Sequence, residues 1–371
     1  MFEMMLGLSK GFALSITAVV LLAYVTLGGA HADILTDGAQ GFLMIILALA
    51  IAILFFSGFG VGGFDNLLAS LERQDSSLLN NFNSTTPITS STWAYITVVI
   101  AHIPLGLLPH IGNKLWALKD QSLRSRFLIL AFIFGMILPM MALGGLLARA
   151  ILGDQLLGNG ANTALPALFL QLFPAWLAAL LGVGVLAAIM STADGLLIST
   201  SQVFANDIYR RSIAPRWQPN LSEQNLDQIV LQISRVVTIL TLLGAIALGW
   251  SIMHLNITLL IWAGVGGFTA ALMGPLVLGS LWKGITAAGA VWGFWGGAIS
   301  FVVIHSRWLT AEWAYNTTID PLARWFDYYA ASPYSAATIG GTISVLLCLL
   351  VSKFTRPLDK SHIDALQKSP H

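Results

Sequence analysis

Ser191 and Thr192 stand side by side in "AAIMSTADGLLISTSQ", Ala187 to Gln202, with Asp194 two residues on and three more hydroxyls at Ser199, Thr200 and Ser201. The stretch lies inside an apolar segment running from Pro174 to Tyr209. Adjacent hydroxyls offer oxygen ligands without fixed charge, and the backbone carbonyl of Ala188, one turn earlier, can add a third. Hard cations take oxygen ligands, and transporters build such sites at helix interfaces, so Ala188, Ser191 and Thr192 form a candidate cation site. A second reading stands beside it. On a helix Ala188, Ser191, Thr192 and Gly195 share one face, and a stripe of small residues lets membrane helices approach closely while its hydroxyls back-bond to their own helix. Asp194 favours the first reading. A carboxylate inside a span is expensive unless it is paired or hydrated, which makes it a functional candidate. It sits about 60° around the helix from Ser191, as a partner to the hydroxyls, a structural residue or a lining of a wet cavity.

A second group of candidates lies in "VVIAHIPLGLLPHIGNK", where Pro104, Gly106 and Pro109 fall within six residues. Proline removes a backbone donor and clashes with the preceding turn, so a helix here kinks or breaks. Freed backbone groups at membrane depth are tolerated where they line a cavity or are buried in protein. His102 and His110 flank the break; each reads as a ligand or, more simply, as a structural histidine with its hydrogen bonds met.

The elements that must position these groups follow from composition. The chain has 371 residues, 56% hydrophobic and 9% charged, against roughly 25% charge in soluble domains. Its apolar residues come in runs of about 17–25, the length that crosses a bilayer as a helix. The fold class is therefore all-α: a polytopic helical membrane protein, a single membrane domain over 1–371 with nine spans. These run about 11–27, 41–59, 92–108, 127–152, 174–209, 229–253, 256–282, 286–305 and 334–351, with a short tail over 352–371. A net charge of +1 points to no nucleic-acid partner, and the single cysteine, Cys348, excludes a disulfide framework. The chain carries no H-E-x-x-H or G-x-S-x-G and its seven histidines are scattered, so it is not expected to be an enzyme.

Orientation follows from the basic loops. Lys114, Lys119, Arg124 and Arg126 follow the third span, Arg210, Arg211 and Arg216 the fifth, and Lys353, Arg356 and Lys360 lie in the tail. The intervening loops are poor: 153–173 has no Lys or Arg, and 60–91 has Arg73 alone. The basic side, with the C-terminus, is expected to be cytoplasmic, in the cell membrane. Nine spans then put Met1 outside and Lys10 on the wrong side. "NST" at Asn83 and "NTT" at Asn316 match glycosylation acceptors on the expected outer face.

Four segments carry a resemblance. "GVLAAIMSTADGLLISTSQVFANDIYRR" is similar to the hallmark segment of the sodium:solute symporters. "YVTLGGAHADILTDGAQG", "PHIGNKLWALKD" and "PLVLGSLWKGITAAGAVWGFWGG" resemble further segments of that family, in family order. The resemblance implies a leucine-transporter-type fold of inverted repeats, here partial. It implies sodium-coupled uptake by alternating access, with Na⁺ as the coupling ion. It places the family's sodium site at Ser191 and Thr192 with the Ala188 carbonyl, and marks Asp37 as a residue tied to coupling or structure. Pro109 and His110 match the family pattern, whereas Ala101 and Leu105 stand where the proline symporters carry aromatics. The nine spans match core helices four to ten plus two more, so the first three core helices have no counterpart. The expectation is a sodium-coupled symporter of a small organic solute in truncated or split form, with the missing N-terminal helices as a candidate separate chain. Its solute and coupling residues would be Pro109, His110, Asp37 and Asp194. The rival expectation is a non-transporting membrane protein on the same fold: a sensor, a partner subunit or an inactive remnant.

Overall fold

A computed structural model describes residues 7–83, 85–116, 118, 120–156, 161–252, 255 and 257–359. Met1, the serine of the "NST" motif (Ser84), Lys119, Lys360 and the last residues of the tail lie outside the described residues. Among those described there is no strand.

The first helix, α1, runs unbroken from Lys10 to Phe56. Ser9 caps it by accepting from the Phe12 N–H, and no proline interrupts its 47 residues. This differs from the two separate spans expected at 11–27 and 41–59. Gly28 and Gly29 weaken a helix by about 1 kcal/mol each, but they leave every hydrogen bond possible, so the helix passes through them. It ends at Ser57, where Gly58 turns the chain at φ +60 so tightly that a Cβ would strike the Gly63 backbone. Helix α2, Phe64–Gln74, follows and buries Leu67 and Leu71, one turn apart.

Helix α3, Thr92–His102, stops where Pro104 enters. The chain tightens into a 3₁₀ turn over Ile103–Leu107 and extends at Leu108, ψ 139, as a residue before proline must. It restarts as α4, Pro109–Trp116. Helix α5, Arg124–Ile137, gives way at Pro139 to a 3₁₀ turn and then to α6, Leu143–Leu152. Beyond them come α7, Ala164–Leu172, and α8, Ala175–Gln202, which widens into a π-helix over Val203–Ile213. The longer helices that follow are α9 Glu223–Ile252, α10 Ile257–Leu272, α11 Ala287–His305, α12 Asp320–Ala330 and α13 Pro333–Phe354.

Seven described helical stretches are long and apolar enough to cross a membrane: Asp33–Phe56, Arg124–Leu152, Ala175–Trp217, Glu223–Ile252, Ile257–Leu281, Ala287–His305 and Pro333–Phe354. Gly11–Ala23 and Thr92–Leu107 are apolar but shorter. The chain is a multi-pass membrane protein. The third expected span falls in the shorter class because its prolines end the helix early, and the first lies within the unbroken α1.

The helices form two compact units: one from 1–79 with 109–254, the other from 80–108 with 255–371. In the first, α1 packs along α8, and Leu67 and Leu71 join Phe55, Leu147 and Leu168 in an apolar cluster. In the second, α11 and α13 pack through small residues. A Cβ on Gly293 would strike the Cys348 sulfur, and one on Gly297 would fall on the Ala270 carbonyl. Such close approach gives van der Waals contact where lipid supplies no hydrophobic drive.

Candidate functional site

Within the first unit, α1 and α8 bring three carboxylates together. Asp33 and Asp37 lie one turn apart on α1, and Ser191 and Asp194 lie three residues apart on α8, so each pair shares a helix face. One oxygen from each of Asp33, Asp37 and Asp194 falls within 4.8 Å of the others. Asp194 is fully buried, Asp33 is 5% exposed, and Asp37 is half-buried.

Asp37 is the hub. One of its oxygens accepts from the Ser191 hydroxyl; the other takes the Lys114 ammonium from α4. Asp194 accepts from the Gly195 N–H at 2.8 Å. Asp33 Oδ1 is buried without a hydrogen-bond partner among the described residues, and so is Gln40 Oε1, two turns along α1 from Asp33.

The chemistry of this arrangement is electrostatic. At an effective dielectric of about 20, two unit charges 4–5 Å apart repel by about 3–4 kcal/mol. Three carboxylates thus share a single ammonium. The donor set is all oxygen, with a hydroxyl beside carboxylates and one unbonded buried acceptor, and this set fits a hard cation.

The other expected residues are placed as follows. The Thr192 side chain is exposed, its hydroxyl 3.5 Å from the Ala188 carbonyl of its own helix, while Ser191 turns to Asp37. The two hydroxyls thus leave the helix on different sides, with Ser191 alone inside the carboxylate group. Pro109 opens α4 and is exposed. His110 is half-buried, and burial holds its imidazole below the usual value, keeping it neutral near pH 7 beside Lys114 one turn on. A Cβ on Gly195 would lie 3.7 Å from the His110 Cβ and 3.6 Å from the Lys114 Nζ, so this glycine is where α4 lies against α8. His102 is a structural histidine: its Nδ1–H donates to the Val98 carbonyl at 2.6 Å, and its ring packs on Trp262 and Tyr334.

Asp33 and Lys114 were not among the expected site residues. The first had a signal, since "ADILTD" repeats an acid at i and i+4 just before an apolar run. Lys114 reads from the sequence only as a loop charge that sets orientation; its partner is 77 residues away.

Comparison with known proteins gives a consistent picture. The model of the sodium:solute symporter family matches residues 1–297. A sodium/pantothenate symporter of Haemophilus influenzae is 27% identical over 290 residues, covering 78% of this chain and 57% of that protein. A sodium/proline symporter of Staphylococcus aureus is 26% identical over 366 residues, 96% of this chain and 64% of that protein. The chain thus spans about three fifths of the length of the curated relatives it matches. A solved structure of a Na⁺-coupled sialic acid symporter in a substrate-bound, outward-open state superposes with a TM-score of 0.65. It covers 95% of this chain and 69% of its own, at 19% identity, a likeness of fold: the all-helical, leucine-transporter type.

Proposed function

Because the chain belongs to the sodium:solute symporter family, we propose that it serves sodium-coupled uptake of a small organic solute by alternating access, as a symporter or as part of one. The observation that carries this reading is the group on α1 and α8: Ser191 bound to Asp37, Asp33 and Asp194 close by, and a buried acceptor on Asp33 with nothing bound to it. In this reading Na⁺ is held by the Ser191 and Thr192 hydroxyls and the Ala188 carbonyl, the Ser191 hydroxyl turning from Asp37 toward the side of α8 where Thr192 and that carbonyl lie. Asp37, Asp194 and Asp33 supply the negative charge that makes the position favourable. The ion brings the positive charge that lets α1 and α8 keep their acids close. Favouring one packing of the helices over another by about 1–3 kcal/mol is enough to change solute affinity usefully.

The solute contacts are assigned to the break between His102 and Pro109, with Pro109 and His110 at its end, because its prolines interrupt the α-helical hydrogen bonding there, as the broken helices that line transporter sites do. The relatives' names include pantothenate and proline, which makes both suitable probes. Ala101 and Leu105, standing where proline symporters carry aromatics, speak against proline. No catalytic activity is assigned. The protein is placed in the cell membrane with the basic loops and the C-terminus cytoplasmic, on the charge asymmetry of the loops.

The test is uptake into proteoliposomes holding the full chain, with radiolabelled pantothenate and proline, under an inward gradient of Na⁺ or K⁺. Sodium-stimulated uptake is expected for one of these probes or a related small acid. The double variant Ser191→Ala, Thr192→Ala should abolish the stimulation. Sodium dependence that survives in that variant removes the site.

A further inference from the structure

Lys114 is bound to the same carboxylate that holds Ser191. The ammonium comes from α4, the short helix that restarts the chain after the break at Pro109. Its side chain is 30% exposed, so most of it lies inside the protein. Gly195 leaves it room: a Cβ there would already touch the Nζ at 3.6 Å, and a larger side chain would occupy its path. Ser191, Asp194 and Gly195 thus form one side of the seat, with Asp37 and Asp33 on the other.

We propose that Lys114 is a tethered competitor for the cation that the carboxylates attract. Its ammonium occupies Asp37 when no metal ion is bound and must withdraw when one is. This inference rests on the sodium reading of the preceding section. Both oxygens of Asp37 are taken, one by the Ser191 hydroxyl and one by the ammonium, so a metal ion gains this acid as a ligand only where the ammonium leaves it. A tether keeps the ammonium at high local concentration near the acid, which makes it an effective competitor for an ion of the same charge. The competition has a mechanical consequence. The ion pair and the contact at Gly195 fasten α4 to α1 and α8, so displacing the ammonium loosens the helix that begins at the break. By linkage, whatever holds α4 down weakens cation binding, and cation binding weakens the hold on α4. The sequence thereby ties the ion site to the segment where solute contacts are assigned.

A purely structural ion pair would behave differently. Removing its lysine would weaken packing and leave cation affinity unchanged or lower. The test is equilibrium binding of ²²Na⁺ to the full chain in lipid nanodiscs. Lys114→Met should bind Na⁺ more tightly than the unmodified protein by about fivefold or more. Lys114→Arg, which keeps the charge, should restore weak binding. In Lys114→Ala, added ethylammonium should compete with ²²Na⁺, standing in for the missing side chain, and should compete far less in the unmodified protein. Unchanged or weaker binding in a well-folded Lys114→Met overturns the tether. A second arm keeps Lys114 intact. Ile111→Cys lies on the exposed flank of α4, and Na⁺ but not K⁺ should speed its alkylation, the native Cys348 being buried. An alkylation rate indifferent to Na⁺ also overturns the tether. Failure of every variant to bind ²²Na⁺ defeats the sodium reading itself, an outcome distinct from binding that ignores Lys114.

Discussion

Asp33 and Asp327 are buried alike, at 5% and 4% exposure, yet their surroundings differ completely. Asp327, in the second unit, accepts from the Ala311 N–H at 2.8 Å through one oxygen and from the Tyr315 hydroxyl at 2.7 Å through the other. Asp33, in the first unit, has an oxygen with no partner and two other carboxylates within 4.8 Å. The contrast extends to the hydroxyls. In the second unit Ser344 accepts from Gly274 N–H and donates to the Ala271 carbonyl, Thr338 donates to the Thr97 carbonyl across helices, and Thr286 bonds with Ser352 and Thr355. There buried polar groups join helices to one another. Around Asp37 they crowd like charges together, an arrangement that burial alone does not stabilise. A buried acid whose bonds are all met is architecture; one left short is a position for a ligand.

The contrast can be broken or sharpened by substitution. The largest effect is expected at Gly297→Ala, whose Cβ falls on the Ala270 backbone; thermal denaturation in detergent should show a loss of about 3 kcal/mol or more, or no folded protein. Next comes Asp327→Ala, which strands two donors and should cost about 2–3 kcal/mol in the same assay. Asp33→Asn should do the opposite. Relieving like-charge crowding should leave stability within about 1 kcal/mol or raise it, while removing the rise in melting temperature that Na⁺, but not K⁺, is expected to give the unmodified protein. A loss of stability there as large as at Asp327 would erase the distinction between the two acids. The smallest effect belongs to Gly195→Ala. Its Cβ meets only Lys114 and His110 at ordinary contact distance, so stability should hold or rise by up to about 1 kcal/mol.

Much of this was legible in the sequence. Run lengths and low charge fix an all-helical membrane protein, and the two prolines at 104 and 109 locate the break to within a residue or two. Asp194 stands out because hydrocarbon penalises it wherever its partner lies. Other features leave weaker traces. The passage of α1 through Gly28 and Gly29 is invisible because two glycines look like a turn and cost a helix little. The seat of Lys114 is invisible because nothing in spacing or period reports a contact across 77 residues. Ser191 and Thr192 read as a matched pair from their adjacency, yet neighbours on a helix point 100° apart, and the structure sends them to different surroundings.

The 47 residues of α1 make a rod of about 70 Å, more than twice the roughly 30 Å of bilayer hydrocarbon. Asp33 stands at the midpoint of that rod, about 35 Å from either end. A helix of that length outruns the hydrocarbon by several turns, so any change in its tilt carries the acids of its middle turns along with its ends.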